Sequence, residues 1–176
     1  AKGVIQIFNV GAERMLGYRS DEVIGRNSPV QLHDAEEIAA RAGELSTLLG
    51  RHVAPGFDAF VAMAKLHGHE EREWTYVRKD GSHFPVLLSV SMLYDVDGHH
   101  TGFLGIASDI TKSRLSAQAL RDTERRYRTL FASASDAVLV GSRSSPELVI
   151  IDCNQAAVEM FGFERHALIG KPAAHL

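Results

Sequence analysis

The sequence predicts an α+β fold in which short helices lead into an antiparallel meander, followed by a helical linker and the start of a second, similar unit. Three observations carry that reading. Apolar spacing is helical as far as Leu66 and alternates from Glu73 onward. Two Asp-Gly dipeptides, Asp80-Gly81 and Asp97-Gly98, divide the alternating stretch into three strands. A block near the N-terminus also recurs near the C-terminus, the mark of a duplicated unit.

The elements follow in order. Val4 to Phe8 reads as a short strand, and Asn9 caps a helix carrying Ala12, Met15 and Leu16. Ser20, Asp21 and Glu22 open another turn, which Gly25 closes. Asp34 with Glu37 three positions later has capping-box spacing, so a helix runs on through Ile38. After the Pro55-Gly56 break, Phe57, Phe60, Val61 and Ala64 fall on one face of an amphipathic helix. The three strands are read as Glu73 to Arg78, His83 to Tyr94 and Thr101 to Ile110, joined by two-residue turns whose Gly supplies positive φ. On the middle strand Phe84, Val86, Leu88, Val90 and Met92 point one way; Leu87, Ser89, Ser91 and Leu93 point the other.

Beyond Thr111 the pattern is helical again. Leu120, Tyr127 and the Leu130/Phe131 pair keep near-heptad spacing in a charged setting, which asks for a partner along that seam. Next come a strand, Asp136 to Ser142, and turn residues Arg143 to Pro146. The repeat begins there, at an offset of 145 residues: Val4, Ile5, Asn9, Ala12, Met15, Gly17, Ile24 and Gly25 recur as Val149, Ile150, Asn154, Ala157, Met160, Gly162, Ile169 and Gly170. The first copy has only three residues ahead of Val4. Its first strand is therefore either outside these residues or supplied by the second copy's Asp136 to Ser142, which otherwise makes its own hairpin.

Composition excludes several classes. The charge of −3, with Lys and Arg scattered, lacks the basic stripe that neutralises phosphates, so no nucleic-acid partner is expected. No apolar run approaches the ~20 residues of a membrane span, and no signal peptide is visible, so a cytoplasmic placement without membrane contact is expected. Cys153 is the one cysteine and lies in an apolar run, which suits a buried structural thiol.

The opening Val4 to Asn9 segment with Ala12, Glu13, Leu16, Gly17, Tyr18, Glu22 and Gly25, the Arg78-Lys79-Asp80-Gly81 hairpin before Phe84-Pro85-Val86, and Asp109-Ile110-Thr111 together resemble the PAS (S-box) sensory family. The resemblance implies a five-stranded antiparallel sheet with helices on one face around a small pocket, used to sense ligands or to mediate dimers. It implies PAS-like domain 1–111, helical signalling linker 112–133 and the N-terminal part of a second PAS-like domain, 134–176. It further makes Asp109 and Thr111 the signal relay into the linker, and places modules like this upstream of histidine kinases or cyclic-dinucleotide enzymes.

The chemical alternatives are thinner. His67 and His69 flank Gly68, and His99 adjoins His100, without further ligands at a metal-site spacing, so no metal is expected. Haem-binding relatives carry an axial His on the helix before the meander; here that stretch has none, leaving His52, His67 and His69 only in a shifted register. Flavin photosensors of the family use a reactive Cys, which the first copy lacks. Glu70, Glu71 and Glu73 alternate across a strand, and no nucleophile–base set or phosphate-cradling loop is present, so no catalysis is expected. Candidate pocket lining is Phe57, Phe60, Val61, Trp74, Phe84 and Phe103. Their bulk points to a filled core and no cofactor. The reading is a non-catalytic sensory and dimerisation module, a homodimer relaying to an output domain of the same polypeptide. The alternative is a sensor whose pocket holds haem or a small metabolite.

Overall fold

The computed structural model describes residues 3–142 and 148–175; the turn expected at Arg143 to Pro146 lies outside them. The chain divides into two compact units, Ala1–Arg114 and Leu115–Leu176.

In the first unit, α1 (Val10–Leu16) starts where the Asn9 side chain accepts from the Ala12 N–H at 2.8 Å and ends at Gly17 with φ 78°. α2 (Ser20–Val23) and a 3-10 turn (Pro29–Leu32) lead to α3 (Ala35–Leu49) and α4 (Phe57–His67). The sheet has the order β1-β2-β3, all antiparallel: β1 (His69–Val77), β2 (His83–Tyr94) and β3 (His100–Asp109). α5 (Thr111–Ser133) follows directly and buries none of its residues.

The core lies between the sheet's inner face and the helices. Phe84, Val86, Leu88 and Val90 of β2 are buried as their alternation requires, and α4 covers them with Ala59, Phe60, Val61 and Ala64. Each large apolar side chain buried this way contributes about 1.5–3 kcal/mol. On the opposite face Leu93, Leu104 and Ile106 stay exposed, by 42%, 43% and 58%.

Four local expectations change. Val4 to Phe8 forms no strand: Ile5 gives its N–H to Asn27 O and receives from Gly25, and no ladder partner lies beside the segment among the described residues. A strand exists only through a neighbour. The equivalent Val149–Cys153 is a strand, β5, because β4 (Leu139–Ser142) of the same chain pairs with it. The described sheets thus have three strands and two, not five in one, and β4 makes its own hairpin rather than joining the first unit. Secondly, both Asp-Gly turns close as three-residue loops. Arg78 N–H bonds Ser82 O and Asp95 N–H bonds His99 O, with Gly81 and Gly98 at φ 82°. Thirdly, β1 begins at His69 rather than Glu73, because His69 through Arg72 find partners on the long β2. Finally, the capping box is half used. Asp34 accepts from Glu36 and Glu37 N–H, but the Glu37 carboxylate instead accepts from Thr75 N–H at 2.6 Å while Asp34 N–H bonds Thr75 O, fastening α3 to the edge of β1.

In the second unit, α6 (Gln155–Phe161) and α7 (Arg165–Leu168) follow β5. Asn154 secures the entry: its amide donates to Asp136 O at 2.9 Å and Ala134 O at 3.4 Å, and its oxygen accepts from Val138 and Ala157 N–H at 2.9 Å each. Cys153 is buried beside Ala157 and Leu168. No helix among the described residues is long and apolar enough to cross a membrane.

Candidate functional site

Two regions of the first unit bring together the residues singled out from sequence. In the core, Phe60 of α4 packs against Trp74 of β1 with ring centres 4.9 Å apart, and Tyr76 sets its edge toward Phe84 at 6.0 Å. Val61 is buried beside them. Phe57 and Phe103 form a separate pair at 5.7 Å and are only half-buried. The backbone of Gly3 covers the Phe57 ring so closely that an added Cβ would lie 2.2 Å from it. An open depression of about 400 Å³ beside the start of α4 is lined by Ser28, Val30, Gln31, Pro55, Phe57 and Asp58. Of the six candidate lining residues only Phe57 borders it; Phe60, Val61, Trp74 and Phe84 belong to one buried cluster, and Phe103 pairs with Phe57.

At the centre of the aromatic cluster sits a residue that periodicity did not single out. His33 is 5% exposed, with ring centres 4.1 Å from Phe60, 4.5 Å from Tyr76 and 5.3 Å from Trp74. Its Nδ1 lies 2.7 Å from Pro29 O, which makes Nδ1–H the donor and leaves Nε2 as an acceptor. Nε2 is buried without a hydrogen-bond partner among the described residues. Burial pushes the imidazole down to about 4, against the raising effect of the Pro29 carbonyl. Tyr76 is pushed up by the same burial. The histidines weighed as haem ligands, His52, His67 and His69, are all exposed. A buried His between two helical patterns leaves no signal except a lone ring next to a capping Asp, so sequence reasoning passed over it.

The second region is the junction of β3 and α5. Asp109 Oδ1 accepts from Thr111 N–H at 2.8 Å, capping the first turn, and Asp109 Oδ2 lies 3.3 Å from Arg78 Nη2. Partial burial raises the Asp109 carboxyl, but the hydrogen bond from Thr111 and the Arg78 charge bring it below the usual carboxylate range. Thr111 contributes its backbone; its hydroxyl is buried with no partner among the described residues. Arg78 also donates from Nε to Met15 O at 2.9 Å, and its guanidinium carbon lies 3.6 Å from the Phe84 ring centre. Arg114 pairs with Glu73, holding the same turn to β1. Arg78 gave only a hairpin motif in the sequence, because its partners lie 63 and 31 positions away.

The clustered carboxylates of β1 lie on opposite faces of the strand, as their alternation implies. Glu70 pairs with Arg41 of α3 at 2.5 Å on the inner face, while Glu73 faces outward to Arg114. Asp95, Asp97 and His99 gather at the exposed β2–β3 loop, where Asp95 accepts the Asp97 and His99 N–H groups as a turn cap.

Comparison with known proteins adds the lineage. A family model described as PAS domain matches residues 1–112, and another of the same description matches residues 125–175. Among solved structures, the PAS domain of a protein from Colwellia psychrerythraea is 25% identical, covering 62% of this chain and 80% of its own, with a TM-score of 0.46. The blue-light photoreceptor Aureochrome1 LOV is 19% identical in its dark structure, covering 71% of this chain and 79% of its own at TM-score 0.46. Its light state is 20% identical, with 68% and 81% coverage at TM-score 0.44.

Proposed function

Because the chain belongs to the PAS domain family, a family of sensory modules, we propose that it is a non-catalytic sensory and dimerisation module that relays a signal through the linker 112–133 to an output domain of the same polypeptide, as in a two-component sensor kinase. The observation that carries this reading is the shared carboxylate of Asp109, one oxygen on Arg78 of the β1–β2 turn and the other on the first N–H of α5. A carboxylate divided in this way converts a shift of the sheet's end into a change in the direction of the helix.

The same reading takes 1–111 as one PAS domain and 134–176 as the beginning of a second, in a cytoplasmic protein. Its partner is a second copy of the chain. Leu93, Leu104 and Ile106 on the uncovered sheet face, and Leu120, Tyr127 and Leu130 along α5, are the apolar surfaces such a partner would cover. The test is replacement of both Asp109 and Thr111 by Ala in the full signalling protein. Output changes while the domain's thermal unfolding stays within a few degrees; unchanged output with an intact domain contradicts the relay.

One observation favours a second reading, a ligand-filled pocket. The Nε2 of His33 is a buried acceptor without a donor among the described residues, and a small metabolite bearing N–H or O–H would satisfy it. Native mass spectrometry of the purified chain separates the two readings: the filled core gives the mass of the polypeptide alone, and a retained ligand adds its own.

A further inference from the structure

We infer that Arg78 couples the end of α1 to the first turn of α5, so that a displacement of α1 reaches the exit helix around the sheet's edge without passing through the core. The inference rests on the proposed relay through Asp109 and identifies its input.

Arg78 holds both ends at once. Its Nε donates to Met15 O at 2.9 Å, in the last turn of α1, where carbonyls lack intrahelical partners. Its Nη2 reaches Asp109 Oδ2 at 3.3 Å, and the other oxygen of that carboxylate takes the Thr111 N–H at 2.8 Å. Met15 O, the guanidinium, the carboxylate and the α5 backbone thus form one unbroken polar chain. The guanidinium is planar and rigid, so its donors move together. It is further held over Phe84 at 3.6 Å and by Nη1 donating to the Ser82 hydroxyl at 3.3 Å.

Adjacent bonds hold the hairpin to α1 through Leu16 and to α2 through Glu22. Lys79 N–H donates to Leu16 O at 2.9 Å, and Lys79 Nζ donates to both oxygens of Glu22 at 2.6 and 2.8 Å. The core supplies no competing route of this kind, since α5 has no buried residue. Its start is oriented by polar links: Asp109 to Thr111, Arg114 to Glu73, and Ile110 N–H to Pro85 O.

Amide hydrogen exchange in the whole 176-residue chain tests the coupling, because energetic coupling between two sites is reciprocal. The Gly17 amide, bonded to Glu13 O, reports on α1, and the Arg114 amide, bonded to Ile110 O, reports on α5. Loss of a cap loosens its own helix by roughly five-fold. Asp109→Ala, which loosens α5, is expected to speed exchange at Gly17 roughly three- to five-fold, and Asn9→Ala, which uncaps α1, to do the same at Arg114. Both cross-effects vanish in an Arg78→Gln background. Acceleration confined to the substituted end, or cross-effects that persist without Arg78, overturns the inference. Should a variant open the whole unit, visible as equal acceleration at Leu88, Arg78→Lys replaces it: the charge stays and the fork is lost. Faster exchange at both Gly17 and Arg114 then supports the coupling, and change at one end or neither contradicts it. A changed output for the Asp109 and Thr111 variants with no cross-effect would leave the relay standing and remove only this input.

Discussion

The guanidinium carbon of Arg78 lies 3.6 Å from the centre of the Phe84 ring. Phe84 is a buried core residue, 3% exposed, so a polar junction rests directly on the aromatic floor of the domain. The stacked cation is worth about 0.5–2 kcal/mol, and its loss also leaves Met15 O without its donor. Arg78→Ala is therefore expected to lower stability by about 1–3 kcal/mol in urea unfolding. Arg78→Lys should recover only part of that loss; full recovery would mean that charge alone matters at this position.

His33 makes stability depend on pH. Its imidazole titrates at about 4 in the folded chain, against 6.5 when free, because burial disfavours the cation. Between these values the unfolded chain binds a proton that the folded chain refuses, so stability falls as pH drops from 6.5 to 4 and this contribution levels off below. The loss approaches about 3 kcal/mol. Comparison with His33→Phe isolates it: the stability of wild type relative to the variant should fall by about 3 kcal/mol as the pH falls from 7 to 4. Parallel pH profiles would mean that the ring is not buried in solution.

Ile106 and Leu104 stand exposed on the outer sheet face, opposite Ser89 and Ser91 of β2. If a second copy covers that face, wild type sediments as a dimer and Ile106→Glu shifts it to a monomer without loss of helicity. A monomeric wild type at high concentration contradicts the partner assignment.

The legible parts of the fold were the local ones. The two Asp-Gly pairs gave the meander, its strand order and the inner face of β2, because turn chemistry and period-two burial act within a few residues. The Asn9 and Asp34 caps were readable for the same reason. What escaped depends on contacts far along the chain. Val4 to Phe8 has strand residues but no neighbour to pair with, while its repeat, Val149–Cys153, has one. Glu37 has capping-box spacing but is drawn to Thr75, 38 positions on. At the site, Asp109 was named through a family likeness; Arg78 and His33 gain their meaning only once β1, α1 and α4 surround them.

Phe60 tests the filled core. It lies 4% exposed between His33 and Trp74, and Phe60→Ala should cost about 3–5 kcal/mol. The purified wild type should show aromatic absorbance alone. A Soret or flavin band would replace the filled core with an occupied pocket, and a loss below about 1 kcal/mol would mean that the cluster is loosely packed.

Whether the signal leaves through α5 is decided by the phase of that helix. Inserting seven residues after Arg121 preserves the seam of Leu120, Tyr127 and Leu130 relative to the segment before it. Inserting two turns everything downstream by roughly 200°. Output of the full signalling protein is measured for both insertions. Regulated output is expected with the seven-residue insertion, and lost or inverted regulation with the two-residue one. Equal regulation by both would contradict a relay through this helix.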